Sequence, residues 1–253
     1  MSLRSVVGKA WHGILRARHR RAVAINDSGP LVSFSFDDFP RSAYTTGGPI
    51  LGNLGIRATY YVAPGMMGTS NESGDQFRLE DLHQVLRDGH ELGSHTFSHC
   101  SSRQISLTAF QQDVRKGQQK LRELVATASD NFAYPFGEVT LEAKRAIGTE
   151  MTSCRGVYTG VNGPEVDLNL LSANLLYGGI GNLAEIEQLV RENDKQKGWL
   201  IFYTHDVQAR PTLYGCTPDL LQAVARLAKE HSKVVPIGEA VRSFKGRTMA
   251  ATN

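Results

Sequence analysis

Long hydrophobic runs and paired cysteines are both missing from this sequence. No apolar stretch approaches the roughly 20 residues needed to cross a bilayer, and residues 198–203, among the longest candidates, have only the length of a strand. The three cysteines, Cys100, Cys154 and Cys216, are widely spaced and form no CxxC pair. The sequence therefore predicts neither a disulfide framework nor a cysteine zinc site, and it indicates a reducing, cytoplasmic compartment.

Features of nucleic-acid and dinucleotide binding are also missing. The net charge of +3 and the pI near 8.8 are too mildly basic to predict a nucleic-acid partner. No GxGxxG motif follows the first predicted strand, which counts against a dinucleotide cofactor. We find no internal repeat and no interdomain linker, and 253 residues with 41% hydrophobic content are typical of one globular core.

The basic residues are concentrated at the start of the chain. Cations there interleave with apolar residues at roughly helical spacing: Arg4, Lys9, Arg16, Arg18, Arg20 and Arg21 with Val6, Val7, Ala10, Trp11, Ile14 and Leu15. The continuous apolar run of about 7–15 residues that a secretory signal needs is missing. Two interpretations remain: a helix that packs on the domain with a solvated basic face, or a peripheral contact with anionic lipid.

After Pro30, short apolar segments alternate with longer amphipathic ones. The predicted strands are residues 31–36, 58–62, 91–94, 131–134, 151–154, 172–176, 199–204 and 234–236. The predicted helices are residues 47–54, 79–88, 107–126, 140–147, 183–193 and 218–231. Strands separated by helices of this length indicate parallel βαβ units. Seven or eight such units in one domain predict an α/β fold built as a single distorted (β/α)7-8 barrel.

The most reactive side chains come directly after predicted strands. In chain order they are Asp37 and Asp38, then His95 and His99, then the run Tyr134, Pro135, Phe136 and Gly137, and finally His205 and Asp206. In parallel barrels the chemistry lies at the C-terminal ends of the strands. The sequence therefore predicts a single site at that face of the barrel.

Two histidines and one aspartate have the composition of a metal site. His95 and His99 are four residues apart, a spacing that on a helical turn puts both imidazoles on one side. Asp38 adds a carboxylate oxygen, and three protein ligands leave positions open for water and substrate, as in catalytic zinc sites. Asp37 faces the other way along the strand and is predicted to act as general base. His205, from the opposite side of the barrel, is predicted to protonate a leaving amine.

Four motifs in order resemble those of the polysaccharide deacetylases, which form carbohydrate esterase family 4, the NodB-homology family. The motifs are Ser-Phe-Asp-Asp at 35–38, HxxxH at 95–99, Phe-Ala-Tyr-Pro-Phe-Gly at 132–137 and Tyr-Thr-His-Asp at 203–206. The resemblance spans residues 31–240 and implies metal-dependent removal of an N-acyl group from an amino sugar. By position it implies a base at Asp37, zinc ligands at Asp38, His95 and His99, and an acid at His205.

The third motif is expected to contribute to substrate binding. By the resemblance, the backbone N–H of Phe136, directly after Pro135, donates to the oxyanion of the tetrahedral intermediate. The rings of Tyr134 and Phe136 are expected either to stack on a sugar ring or to pack at the end of the strand. Asp206 either orients His205 or caps the following loop.

Two departures from the family pattern concern the groups around the site. Many members carry an arginine two residues before the proline of the third motif, where it braces the catalytic aspartate, but this chain has Ala133 there. Arg155, at the end of the next strand, is our hypothesis for the missing cation. The family's aspartate–tryptophan motif has no clear counterpart, and Asp167 lies nearby in sequence without the tryptophan.

We therefore predict a hydrolase, a Zn²⁺-dependent deacetylase of linear amide bonds, although another divalent transition metal would also suit the ligands. The predicted divisions are a basic, helical N-terminal extension over 1–29, a catalytic domain over 30–245 and a flexible tail over 246–253. The expected partner is an amino-sugar-containing glycan, glycolipid or polysaccharide precursor, handled in the cytoplasm, with a peripheral contact to the inner membrane face as an extension. The alternatives are an amidohydrolase of a non-sugar amide or ureide, and a catalytically inactive sugar-binding protein.

Overall fold

The computed structural model describes residues 13–25 and 29–248, with side chains described up to Phe244. The strands are β1 (Ala22–Ala24), β2 (Leu31–Phe36), β3 (Thr59–Val62), β4 (Ser70–Asn71), β5 (Gly74–Asp75), β6 (Glu91–Ser94), β7 (Asn131–Ala133), β8 (Ser153–Arg155), β9 (Glu165–Asp167), β10 (Asn174–Leu175), β11 (Trp199–Thr204) and β12 (Lys233–Val234). The α-helices are α1 (Arg41–Thr45), α2 (Gly47–Gly52), α3 (Leu79–Arg87), α4 (Leu107–Leu124), α5 (Leu141–Glu150), α6 (Leu183–Gln196), α7 (Pro218–His231) and α8 (Ile237–Thr248). Short 3₁₀ turns cover Pro64–Met66, Pro135–Gly137 and Ile180–Asn182.

One curled, parallel sheet forms the centre of the molecule. Its strand order is β10-β11-β2-β3-β6-β7-β8, and β12 pairs with the start of β2. The two edges of the sheet meet, because Arg155 of β8 forms a parallel bridge with Leu171, which lies just before β10. The distorted (β/α) barrel that the sequence predicts is confirmed.

The residues of β11 show how this sheet separates two hydrophobic layers. Trp199, Ile201 and Tyr203 belong to one buried cluster, whereas Leu200 and Phe202 belong to another, because successive strand residues face opposite ways. The first cluster also contains residues of the non-adjacent strands β3 and β7, so it fills the barrel interior. The second lies between the sheet and α7. A strand buried on both faces reads as a continuous apolar run, which is why the bounds of β2 and β11 were predicted correctly.

Serine or threonine side chains cap the N-termini of three of the outer helices. Ser106, Thr140 and Thr217 accept a hydrogen bond from the backbone N–H three residues later, at the starts of α4, α5 and α7. Such caps satisfy otherwise unpaired N–H groups. They therefore fix the points at which the loops of the C-terminal barrel face end and the helices run back along the sheet. In the described part of the chain, no helix is long and apolar enough to cross a membrane.

The segment before β2 packs on the barrel. Residues 13–17 are helical, and β1 pairs antiparallel with β9. The buried Lys144 of α5 donates to the carbonyls of Leu15 and Arg18, at 2.6 and 2.8 Å, and pairs with Asp167 at 2.6 Å. These contacts fasten residues 13–25 to the domain and give Asp167 a structural ion pair. The amphipathic positions predicted within residues 1–12 lie outside the described residues.

Several elements were not predicted from the sequence, and each is short or weakly patterned. β1 and β9 have three residues each and pair only with each other within the described chain, and β4 and β5 form a two-residue hairpin. α1 is a single turn, and the predicted helix 47–54 shortens to α2. α8 contains Gly238 and Gly246, which lower helix propensity. α8 runs to Thr248, so residues 246–248 of the predicted tail are helical, and the flexibility of the tail stays a prediction.

Candidate active site

Asp37 and Asp38 lie where β2 ends, and the backbone turns sharply between them. The N–H of Asp37 continues the β2–β11 ladder by donating to the carbonyl of Thr204 at 2.9 Å. Asp38 and Phe39 then adopt left-handed conformations, with φ of 62° and 65°. Both carboxylates are nearly buried. The turn sends them toward different partners, as the sequence predicts.

Asp38, His95 and His99 converge on one point. The Nε2 atoms of His95 and His99 lie 3.5 and 3.0 Å from Asp38 Oδ1, and one ligand atom from each residue lies within 4.8 Å of the others. The segment 95–99 is irregular rather than a helical turn, with Thr96 and His99 at φ of 65° and 57°. The left-handed residues, rather than helical periodicity, bring the imidazoles together.

Helix α4 holds this histidine loop in place. Asp113 accepts hydrogen bonds from the N–H groups of Phe97 and Ser98 at 2.8 and 2.9 Å. Gly117 touches the backbone of Thr96, where a Cβ would come within 2.5 Å of the carbonyl. The sequence analysis missed both residues. The signal that could have found Gly117 is a glycine in the middle of a long amphipathic helix, which often marks close packing.

The chemistry of these three groups fits a divalent metal ion. His95 directs Nδ1 to the carbonyl of Ala133 at 2.8 Å, so Nδ1 carries the proton and Nε2 offers its lone pair. Burial lowers the pKa of His95 to about 4, which keeps the ring neutral and able to bind metal. Asp38 Oδ1 is buried beside Nε2 of both histidines, and a cation held by these three atoms would compensate its charge. Burial raises the pKa of Asp38, but the hydrogen bond and the charge of His99 outweigh it and hold the pKa below its usual range.

Arg155 occupies the place that our sequence hypothesis gives it, beside Asp37. Its Nη2 lies 2.5 and 2.6 Å from the two carboxylate oxygens. The guanidinium is fully buried between the rings of Tyr61 and Tyr203, with Cζ 5.1 and 4.9 Å from their centroids. Burial lowers the pKa of Arg155, but the charge of Asp37 outweighs it and raises the pKa. Arg155 therefore holds Asp37 next to the metal ligands.

His205 and Asp206 both form hydrogen bonds with the loop that follows them. His205 directs Nδ1 to the carbonyl of Tyr214 at 3.1 Å, which leaves Nε2 for the cavity. The hydrogen bonds of the Asp206 carboxylate come from Gln208 and from the N–H and hydroxyl of Thr212. Of our two interpretations of Asp206, the geometry supports the one in which it caps the loop. His205 is oriented by a backbone carbonyl instead.

The residues of the third motif divide between the core and the cavity. Phe136 is 61% exposed, has a left-handed φ of 59° and places its ring 4.5 Å from that of His99. Tyr134 is 1% exposed and packs edge-on against Phe132 in a hydrophobic cluster. The expectation that Tyr134 stacks on a sugar was therefore wrong, and packing at the strand end is the observed role. Pro135 is buried and starts the 3₁₀ turn that carries Phe136.

A cavity of about 740 Å³ contains the predicted base, acid and metal ligands. Its lining consists of Asp37, Asp38, Met66, Asn71, Glu72, Ser73, His95, His99, Phe136, Gly137, Val157, Leu175, Tyr177, Tyr203, His205 and Tyr214. Tyr177 and Tyr214 were not predicted from the sequence. The ring centroid of Tyr177 lies 5.5 Å from that of Tyr203 and 6.1 Å from that of Tyr214. These contacts depend on the pairing of two loops that are distant in sequence, so they leave no local sequence signal.

Comparisons with known proteins agree with this geometry. The sequence profile of the family described as polysaccharide deacetylase matches residues 24–151, and no curated protein sequence matches the chain. A chitin deacetylase from the fungal pathogen Colletotrichum lindemuthianum has a similar structure, with 18% identity, a TM-score of 0.56, and 86% of this chain and 89% of that chain covered.

Two bacterial or metagenomic structures are similar in the same way. The Xyl-CE4 domain of a multidomain xylanase from the hindgut metagenome of Trinervitermes trinervoides shows 17% identity and a TM-score of 0.55, with 86% and 92% coverage. The peptidoglycan deacetylase PdaC of Bacillus subtilis shows 15% identity and a TM-score of 0.52, with 90% and 96% coverage. These structures share the fold, and the profile match covers half of the sequence. The chain belongs to the polysaccharide deacetylase family.

Proposed function

We propose that this protein is a metal-dependent deacetylase that removes the N-acetyl group from an amino sugar in a glycan, glycolipid or polysaccharide precursor. The observation that supports it most is the pairing of two differently partnered carboxylates in one cavity. Asp38 meets His95 and His99, while Asp37 is held by Arg155 beside them. His205 lines the same cavity. A binding protein would need no such set of ligands, base and acid.

Different residues of this chain have different roles in the hydrolysis. Asp37 accepts a proton as the oxygen of a water molecule bonds to the acetyl carbonyl carbon. The N–H of Phe136 donates to the carbonyl oxygen as negative charge develops there. His205 delivers a proton to the nitrogen as the C–N bond breaks, and acetate and a free amine leave. An ion held by Asp38, His95 and His99, when bound, supplies Lewis acidity toward the carbonyl and the water.

The substrate and the metal are the finer parts of the proposal. The cavity is open and carries the rings of Phe136, Tyr177 and Tyr214, which suit the apolar face of a sugar. Proteins of similar structure include a chitin deacetylase and a peptidoglycan deacetylase, which supports an N-acetylated amino-sugar substrate. Two imidazoles and a carboxylate suit Zn²⁺ best, although other transition metals also accept them. We propose that the reaction takes place in the cytoplasm and that its substrate is a precursor of the finished polysaccharide.

Acetate release from N-acetylated chitooligosaccharides tests the proposal directly. Chelator-treated protein should be inactive and should recover with Zn²⁺. Asp37→Asn should lower kcat by about 100-fold or more yet retain metal, measured by titration calorimetry. Asp38→Ala should lose both metal and activity. Asp194→Asn, at a partly exposed aspartate near the C-terminal end of α6, is the matched control and should behave as the unmodified protein.

Two results would contradict this proposal. Full activity of Asp38→Ala without bound metal would remove the metal-dependent mechanism. No acetate release from any N-acetylated glycan, together with turnover of a cyclic ureide, would move the substrate to the non-sugar amides.

A further inference from the structure

Exposed apolar side chains gather on one side of the cavity mouth. Leu213 is 87% exposed, Ile180 53%, Tyr214 49% and Leu175 48%. All four lie at or after the C-terminal ends of the neighbouring strands β10 and β11. Solvent-exposed apolar side chains grouped in this way mark surfaces that meet a partner. We call these four residues the apolar rim.

Backbone hydrogen bonds join the two segments that carry the apolar rim. The N–H of Gly178 donates to the carbonyl of Gly215 at 2.8 Å, and the N–H of Thr217 donates to the carbonyl of Gly178 at 2.9 Å. The rings of Tyr177 and Tyr214 are 6.1 Å apart. The two segments that carry the apolar rim therefore lie side by side.

The loop that presents Leu213 is held in a fixed shape. The buried carboxylate of Asp206 accepts hydrogen bonds from Gln208, at 2.8 Å, and from the N–H of Thr212, at 3.0 Å. Gly215 packs against the same carboxylate so closely that a Cβ would come within 2.3 Å of it. An internal brace of this kind keeps Leu213 in water, where it has no intramolecular partner to cover it.

One arginine accompanies the apolar rim. Arg210 is exposed, lies in the same loop as Leu213 and has no ion pair among the described residues. The two rim segments, 175–182 and 207–217, contain no acidic residue. The acid next to these segments in sequence, Asp206, is buried and accepts hydrogen bonds within the loop. Glu185 and Asp219 lie in the first turns of α6 and α7, and Glu72 lines the cavity.

We infer that the apolar rim and Arg210 dock this protein on the surface of an anionic lipid bilayer, with the cavity mouth beside the membrane. Aliphatic side chains next to an arginine match an interface in which acyl chains lie under anionic headgroups. Leu213 and Ile180 offer neither a ring face nor a hydrogen-bonding group, so a soluble glycan gains little from them. The inference rests on the proposed function only in taking the cavity as the substrate site.

Cosedimentation with vesicles tests this docking. The full chain should bind vesicles of phosphatidylcholine mixed with phosphatidylglycerol, and high salt should weaken the binding. Leu213→Ser with Ile180→Ser should weaken it by about tenfold or more, and Arg210→Glu by about fivefold. Leu79→Ser and Arg226→Glu are matched controls, an exposed leucine and an exposed arginine outside the rim, and should bind as the unmodified protein.

Several outcomes would overturn the inference. Failure of the unmodified protein to bind anionic vesicles at all rules the docking out. Equal vesicle binding by the unmodified protein and by the Leu213→Ser, Ile180→Ser double variant rules it out as well. A dimer in solution that Leu213→Ser dissociates would assign the rim to a second copy, and a soluble glycan whose affinity falls in the double variant would assign it to substrate. Acetate release from a soluble oligosaccharide should be unchanged in these variants, so a failure of the deacetylase proposal is seen separately.

Discussion

At the scale of single residues, the site depends on two adjacent aspartates, Asp37 and Asp38, whose side chains contact different groups. Asp37 continues the hydrogen bonding of β2 and contacts Arg155, whereas Asp38 has a φ of 62° and contacts His99. A left-handed conformation costs a residue other than glycine about 1 kcal/mol or more. The fold accepts this cost at Asp38, Thr96, His99 and Phe136, all at the site. Local strain therefore separates the base from the metal ligand.

Substitutions in the third motif should separate a core tyrosine from a cavity phenylalanine. Tyr134→Phe should change kcat/KM less than about twofold and the free energy of unfolding by about 1 kcal/mol or less, because the buried hydroxyl faces only the weakly hydrogen-bonding thiol of Cys154. Phe136→Leu should raise KM about fivefold, because the exposed ring that borders the cavity is lost. Steady-state kinetics and urea unfolding of both variants measure this. A larger kinetic effect at Tyr134 than at Phe136 would reverse our assignment.

At the scale of elements, strand register explains how the chain supplies an arginine from an unexpected strand. Ala133 of β7 and Arg155 of β8 are direct partners in the parallel pairing, so they lie at the same level of the barrel. An arginine from either strand can reach the barrel interior at that level. The brace on Asp37 is thus a property of the position in the barrel rather than of one sequence motif.

Moving the arginine back to β7 should restore function. Arg155→Ala leaves Asp37 buried and unpaired, and it should lower kcat/KM by about 100-fold and reduce stability by about 3 kcal/mol. Ala133→Arg in the Arg155→Ala background should recover about tenfold or more of the lost kcat/KM. The pH profile of kcat/KM, which reports the base, should move back with it. Ala133→Leu in the same background fills the space without charge and is the control. Equal recovery by leucine would show a packing role only.

Much of the barrel and the ligand set could be predicted from the sequence, for physical reasons. β2 and β11 have the predicted bounds because strands buried in a parallel sheet are largely apolar runs. The metal ligands and Arg155 could be proposed because their charge demands a partner at a strand end. The brace from Asp113 could not be predicted, because it acts on a loop whose shape follows from the left-handed residues Thr96 and His99. Capping of the following loop by Asp206 was one of two interpretations, and the sequence alone did not separate them. Tyr177 reaches the cavity through the pairing of Gly178 with Cys216, which joins segments far apart in sequence.

At the scale of the whole molecule, buried ionisable groups outside the site connect stability to pH. His90 packs edge-on against the rings of Tyr44 and Tyr60, and its Nδ1 accepts a hydrogen bond from the N–H of Ala58 at 3.0 Å. That bond requires the unprotonated Nδ1. Burial lowers the pKa of His90 to about 4. His90 therefore stays neutral in the folded chain at pH values where an exposed histidine takes up a proton.

The free energy of unfolding should decrease as the pH is lowered through a window set by the pKa of His90. The unfolded chain takes up this proton near the ordinary pKa of about 6.5, and the folded chain takes it up only near 4. The unfolded state binds more protons between these values, so the contribution of His90 is fully present above about pH 6.5 and is lost as the pH falls toward 4. The loss should reach about 3 kcal/mol. Urea unfolding of chelator-treated protein across this range should show a shallower pH dependence for His90→Asn, which keeps an acceptor that does not titrate. His83→Asn, at an exposed histidine, is the matched control, and parallel curves for His90→Asn and the unmodified protein would remove His90 as the cause.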